Sequence, residues 1–71
     1  MRIELDTVVE SNETINDVIA EMTKDLDVEA NLVAEHGPAG GHPLIAYIGT
    51  EADLRTIARR YGPDTEETIF A

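Results

Sequence analysis

The apolar residues of this chain switch between two periods, and that switching limits the folds open to it. In RIELDTVV, residues 2–9, Ile3, Leu5, Thr7 and Val9 fall on one side and Arg2, Glu4, Asp6 and Val8 on the other. A period of two marks a strand with one buried face. In SNETINDVIAEMTKDL, residues 11–26, Ile15, Val18, Ile19, Met22 and Leu26 recur at helical spacing and form one apolar stripe. Ser11 or Asn12 is placed to cap that helix, and Glu13 and Asp17 suit the positive end of its dipole. VEANLVAE, residues 28–35, returns to period two, with Val28, Ala30, Leu32 and Ala34 on one face and Glu29, Asn31, Val33 and Glu35 on the other. A Gly/Pro-rich connection then leads into the β-branched and aromatic run LIAYIG, so the pair predicts a hairpin.

The second helix is the better punctuated. In TEADLRTIARRYGP, Thr50 and Asp53 stand as a capping pair, and Leu54, Ile57, Ala58 and Tyr61 form the stripe. Gly62 is placed for a left-handed C-cap and Pro63 for a stop. Residues 63–71 allow a short fourth strand through ETIFA or a frayed tail. The order is β-α-β-β-α, with a further β left open. Two amphipathic helices need one sheet to cover. The expected fold is α+β, a ferredoxin-like split βαβ in one domain over residues 1–71, with a three- or four-stranded sheet and both helices on one face.

A chain of 71 residues buries only about 60% of its unfolded surface. It has no cysteine, so disulfides and thiolate zinc sites are excluded as staples, and self-association is a natural source of extra buried area. No apolar run approaches the ~18 residues of a membrane span, and no basic-then-apolar leader opens the sequence. The expectation is a cytoplasmic protein that does not engage membranes. Fifteen acidic residues against five basic ones give a net charge of −10. That balance disfavours direct binding to nucleic acid, where affinity comes from Lys and Arg. It fits solubility, adaptation to salt, or mimicry of DNA by ordered carboxylates.

Several residues invite chemistry. His36 and His42 bracket the connection EHGPAGGHP, and with Glu35 they are candidate metal ligands, although no HxH or HxxxH spacing supports them. The glycines lead into a strand rather than a helix and no GK[ST] follows, so a phosphate cradle is not expected. Gly37, Pro38, Gly40, Gly41 and Pro43 are read instead as a stiff structural turn. Arg55, Arg59 and Arg60 form a basic spot on the second helix, suited to dipole compensation and surface ion pairs or to an acidic partner. Ser11 is the sole serine and has no partner histidine at a recognisable spacing. No catalytic residue and no cofactor are expected, and the chain is read as a non-enzyme.

The uncovered sheet face is the candidate interaction surface. The third strand presents either Ile45 and Tyr47 or Leu44, Ala46 and Ile48 outward, and the small Ala46 favours the first choice. Val8, Val33, Ile45 and Tyr47 then form an apolar patch with a carboxylate rim, the usual anatomy of an interface. Glu13, Asp17, Glu21 and Asp25 recur every fourth residue and are the candidate row for mimicry of DNA.

From Glu35 to Gly62 the sequence resembles a loose group of small bacteriophage and prophage proteins. These run strand, GPxGGxP-type turn, strand, G[ST]xxxL and a helix ending in a Tyr-rich stretch. Gly37, Pro38, Gly40, Gly41, Pro43, Gly49, Thr50, Leu54 and Tyr61 carry the match, over less than half of the chain. The resemblance implies a viral or mobile-element origin, hence the cytoplasm of a host cell. It implies no activity. The expected function is that of a small acidic interaction module that self-associates or binds one host protein, as an accessory or host-takeover factor. A DNA-mimic inhibitor and a small-ligand-sensing domain are the alternatives.

Overall fold

The computed structural model describes residues 1–35 and 42–70. Its elements are β1 (Arg2–Asp6), α1 (Ile15–Met22), β2 (Glu29–Ala34), β3 (Leu44–Ile48), α2 (Glu51–Tyr61) and α3 (Pro63–Phe70). The protein is α+β, with an open three-stranded antiparallel sheet in the order β1-β3-β2. Both outer strands run antiparallel to β3, so β1 and β2 are parallel to each other with β3 between them. Of the stretch that the sequence left open to a fourth strand, Pro63–Phe70 forms α3 instead, so among the described residues the sheet has no fourth strand. Pro63 does not simply stop α2; it opens α3 at a first helical position, where its missing N–H costs nothing.

Register decides which faces meet the helices. Directly opposed residues in a sheet share a face. Ile3 lies opposite Tyr47, which lies opposite Ala30; Leu5 lies opposite Ile45, which lies opposite Leu32. Ile3, Leu5, Ile45 and Tyr47 join Leu54 and Ile57 of α2 in the core, and Ile15, Ile19 and Met22 of α1 and Ile69 and Phe70 of α3 pack against it. All three helices therefore cover one face. The other face carries Leu44, Ala46 and Ile48 at its centre. This reverses the expected parity of β3: Ile45 and Tyr47 are fully buried, and neither belongs to an exposed patch.

The helix ends also differ from expectation. α1 starts at Ile15, the first residue of the stripe, but Thr14 caps it in place of Ser11 or Asn12. Thr14 Oγ1 accepts the Asp17 N–H and Asp17 Oδ2 accepts the Thr14 N–H, both at 3.1 Å, a reciprocal capping box. At the other end the Thr23 hydroxyl donates to the Ile19 carbonyl at 2.7 Å, and Asp25 turns the chain through a left-handed conformation at φ 64°. α2 starts as expected, with Thr50 Oγ1 accepting the Asp53 N–H at 3.2 Å. It ends at Gly62 with φ 162°, extended backbone rather than the expected left-handed cap.

The core sits where β1, β3 and α2 converge. Leu54→Ala is expected to lose about 2–5 kcal/mol in urea unfolding, the usual range for truncating a buried leucine. Val8→Ala, at a side chain 58% exposed, is expected to change stability by less than about 0.5 kcal/mol.

Candidate functional site

Three side chains meet inside the fold that no single stretch of sequence brings together. Thr7, one residue past β1, is 1% exposed. Its Oγ1 lies 2.6 Å from the hydroxyl of Tyr61 at the end of α2, and that hydroxyl lies 2.8 Å from the hydroxyl of Tyr47 on β3. The two rings meet edge-on, with centroids 6.2 Å apart. Burial, reinforced by the neighbouring Tyr61, pushes the Tyr47 hydroxyl far above its ordinary range, against a smaller opposing effect of the Thr7 hydrogen bond. The Tyr47 hydroxyl holds its proton. The evident effect of the chain of hydroxyls is to let a large polar-tipped ring enter the core with its polar atom satisfied.

The basic spot is consumed internally. The Arg55 Nε donates to Glu51 Oε2 at 3.2 Å, and its guanidinium carbon lies 4.7 Å from the centre of the Phe70 ring. Arg59 reaches Glu66 of α3 through Nε and Nη2, at 3.1 and 2.9 Å. That contact raises the Arg59 pKa and holds the Glu66 carboxyl below the usual carboxylate range. The pair lies at the surface, and its contribution is lost as pH falls and Glu66 is protonated. Arg60 donates to the carbonyls of Met22 at 2.8 Å and Lys24 at 3.0 Å. α1 has no basic residue in its last turn, so Arg60 supplies the cation that its C-terminus lacks. Arg2 pairs with Glu4 at 2.8 Å. All four arginines are thus engaged within the chain.

The proposed row of carboxylates does not form. Only Asp17 and Glu21 lie in α1, and Asp17 is occupied by the capping box. Glu13 precedes the helix in a local turn, where its Oε1 accepts the Glu10 N–H at 3.2 Å, and Asp25 follows the helix in its left-handed bend. A helix of eight residues is too short to carry four acids at four-residue spacing on one face.

Of the candidate metal ligands, Glu35 and His42 are exposed and His36 lies outside the described residues. Among the described residues no cluster of three or more His, Asp or Glu side chains is placed to hold a metal ion. Of the structural turn, Gly37, Pro38, Gly40 and Gly41 also lie outside them. Pro43 lies within: its carbonyl accepts the Thr7 N–H at 2.8 Å, which extends the pairing of β1 and β3 by one step.

The uncovered face has a different membership from the one expected. Its centre is Leu44, Ala46 and Ile48, flanked by Glu4 and Asp6 on β1 and by Glu29 and Asn31 on β2. Ala34 joins them, because a bulge between Leu32 and Ala34 slips the register and sets Ala34 opposite Leu44. Val33, the extra residue, is 44% exposed, and Val8 lies beyond the end of β1. Leu44 and Ile48 are each partly exposed. Among the described residues no helix is long and apolar enough to cross a membrane.

Comparison with protein-family models, with curated proteins and with solved structures found no match for this chain.

Two expectations follow. Because the Tyr47 pKa is raised in the fold, its stabilising effect is present below the ordinary tyrosine pKa of 10.0 and is lost as pH rises beyond it. Urea unfolding of the wild type is expected to weaken above that pH by about 1.4 kcal/mol per pH unit for this group, and Tyr47→Phe is expected to lack its share of the slope. Arg60→Ala is expected to cost about 1 kcal/mol and to speed amide hydrogen exchange in α1 more than in α2.

Proposed function

We propose that this chain is a small acidic protein-interaction module without catalytic activity of its own, and that it presents its uncovered sheet face to a second copy or to one host protein. The observation that carries the reading is the composition of that face. Leu44 and Ile48 stand partly exposed on the central strand, with the small, buried Ala46 between them, and the flanking strands carry Glu4, Asp6, Glu29 and Asn31. An apolar centre inside a polar rim is the arrangement of protein interfaces. The charge agrees: with the four arginines already paired within the chain, the surface offered to a partner is dominated by carboxylates.

The fold is read as a ferredoxin-like split βαβ whose last strand position is taken by a helix. A phage or mobile-element origin, and with it an accessory or host-takeover role in the host cytoplasm, rests on the resemblance over residues 35–62. Mimicry of DNA loses its candidate row, and no observation favours a small-ligand sensor over an interaction module.

Light scattering tests the self-association form. The wild type is expected at twice the mass of one chain, and Ile48→Glu at the mass of one chain with an unchanged circular dichroism spectrum. A wild type already at the mass of one chain sinks self-association through this face and leaves only the host-protein form.

A further inference from the structure

The outer edge of β1 has a regular backbone, and among the described residues no strand lies beside it. Met1 and Gly49 exchange both backbone hydrogen bonds at 3.0 Å, and the Thr7 N–H donates to Pro43 at 2.8 Å. In an antiparallel ladder bonded and non-bonded pairs alternate. The odd residues from Met1 to Thr7 therefore spend their backbone groups on β3. The N–H and C=O groups of Arg2, Glu4 and Asp6 point away from the sheet. The opposite edge, on β2, is interrupted by its bulge, whereas β1 keeps an unbroken register from Arg2 to Asp6.

α3 forms the far wall of a groove of about 380 Å³ along this edge. Leu5 and Ile69 give it an apolar side and Asp64 an acidic residue, while Glu4 and Asp6 border it along the β1 edge. Glu4 shares its charge with Arg2, while among the described residues neither Asp6 nor Asp64 forms an ion pair. Glu4 and Asp6 are two residues apart and point to the same face, the spacing of alternate residues on a neighbouring strand.

We propose that the β1 edge takes up an extended basic segment of a partner protein as a fourth strand, with Lys or Arg at every second position and apolar residues between them. Strand addition supplies main-chain hydrogen bonds, and the alternating side chains supply selectivity. The cations meet Glu4 and Asp6 on the uncovered face, and the apolar residues lie towards Leu5 and Ile69 on the face that α3 covers. A second copy is the poorer occupant, because each chain brings a net charge of −10 to the same acidic edge. This inference rests on the reading of the chain as an interaction module and names the chemistry of one partner segment.

The test is an NMR titration at low salt with a capped peptide of alternating lysine and valine. The expected result is slowed hydrogen exchange at the Glu4 and Asp6 amides and shifted signals at Asp64 and Thr68. Affinity is expected to fall about tenfold in the Glu4→Gln, Asp6→Asn double variant, in line with the loss of two exposed ion pairs. An alternating glutamate and valine peptide is expected not to bind. Failure of the lysine–valine peptide to bind overturns the proposal. So does equal affinity for a lysine–valine peptide N-methylated at each lysine, in which the donors that face β1 are missing. Shifts confined to Leu44, Ala46 and Ile48 also overturn it, while leaving the uncovered face as the interaction surface. Glu4 and Asp6 amides already protected in a dimer without peptide would assign the edge to a second copy and overturn it as well.

Discussion

The hydroxyl of Tyr61 is the point on which the arrangement of this fold turns. It joins Thr7 beyond β1, Tyr47 on β3 and the last turn of α2, at 2.6 and 2.8 Å. A buried polar network holds its geometry because each member left unpaired costs free energy in a low-dielectric interior. Every described buried side-chain polar atom has a partner. Once Tyr47 is held inward, the parity of the central strand is set. Ile45 must then face the helices, and Leu44, Ala46 and Ile48 must face away. The identity of the outer surface is thus settled by contacts on the inner one.

That dependence explains what could be read from the sequence and what could not. β1 alternates between polar and apolar residues, so its buried face was legible as Ile3, Leu5 and Thr7. The punctuation of α2 by Thr50 and Asp53 was equally plain. In LIAYI every residue is apolar or aromatic, so periodicity assigns neither face, and the size of Ala46 was a poor substitute for cross-strand register. The bulge in β2 comes from a mismatch with β3 and has no local signal, which is why Ala34 changed sides. α1 and α3 did leave signals. Thr14 and Asp17 have the same spacing as Thr50 and Asp53, but Ser11 and Asn12 competed for the role. Pro63 followed by Asp64 and Glu66 has the form of a helix start, and the β-like ending TIFA obscured it.

The arginines show how charge is distributed between fold and surface. Arg59 and Arg55 hold α3 by its Glu66 and Phe70, and Arg60 closes the end of α1. A cluster that looks like a basic patch in the sequence is a set of internal ties in the structure. The excess of carboxylates therefore remains on the outside, where solvent and salt screen it and a cationic partner meets little competition. The sequence order alone does not separate these roles, because ion pairs seven or more residues apart have no periodic signature.

The closure of α1 by a side chain from another helix bears on how the chain acquires its structure. Eight residues make a helix too short to persist alone in water, even with a well-formed cap at its start. Its last carbonyls are met by Arg60, 38 residues from Met22 along the sequence. α1 is thus a helix by permission of α2: residues 15–22 take up helical order only when the second half of the chain has docked. The two halves then gain and lose structure together, and the molecule behaves as one cooperative unit rather than as a stable hairpin with a helix appended.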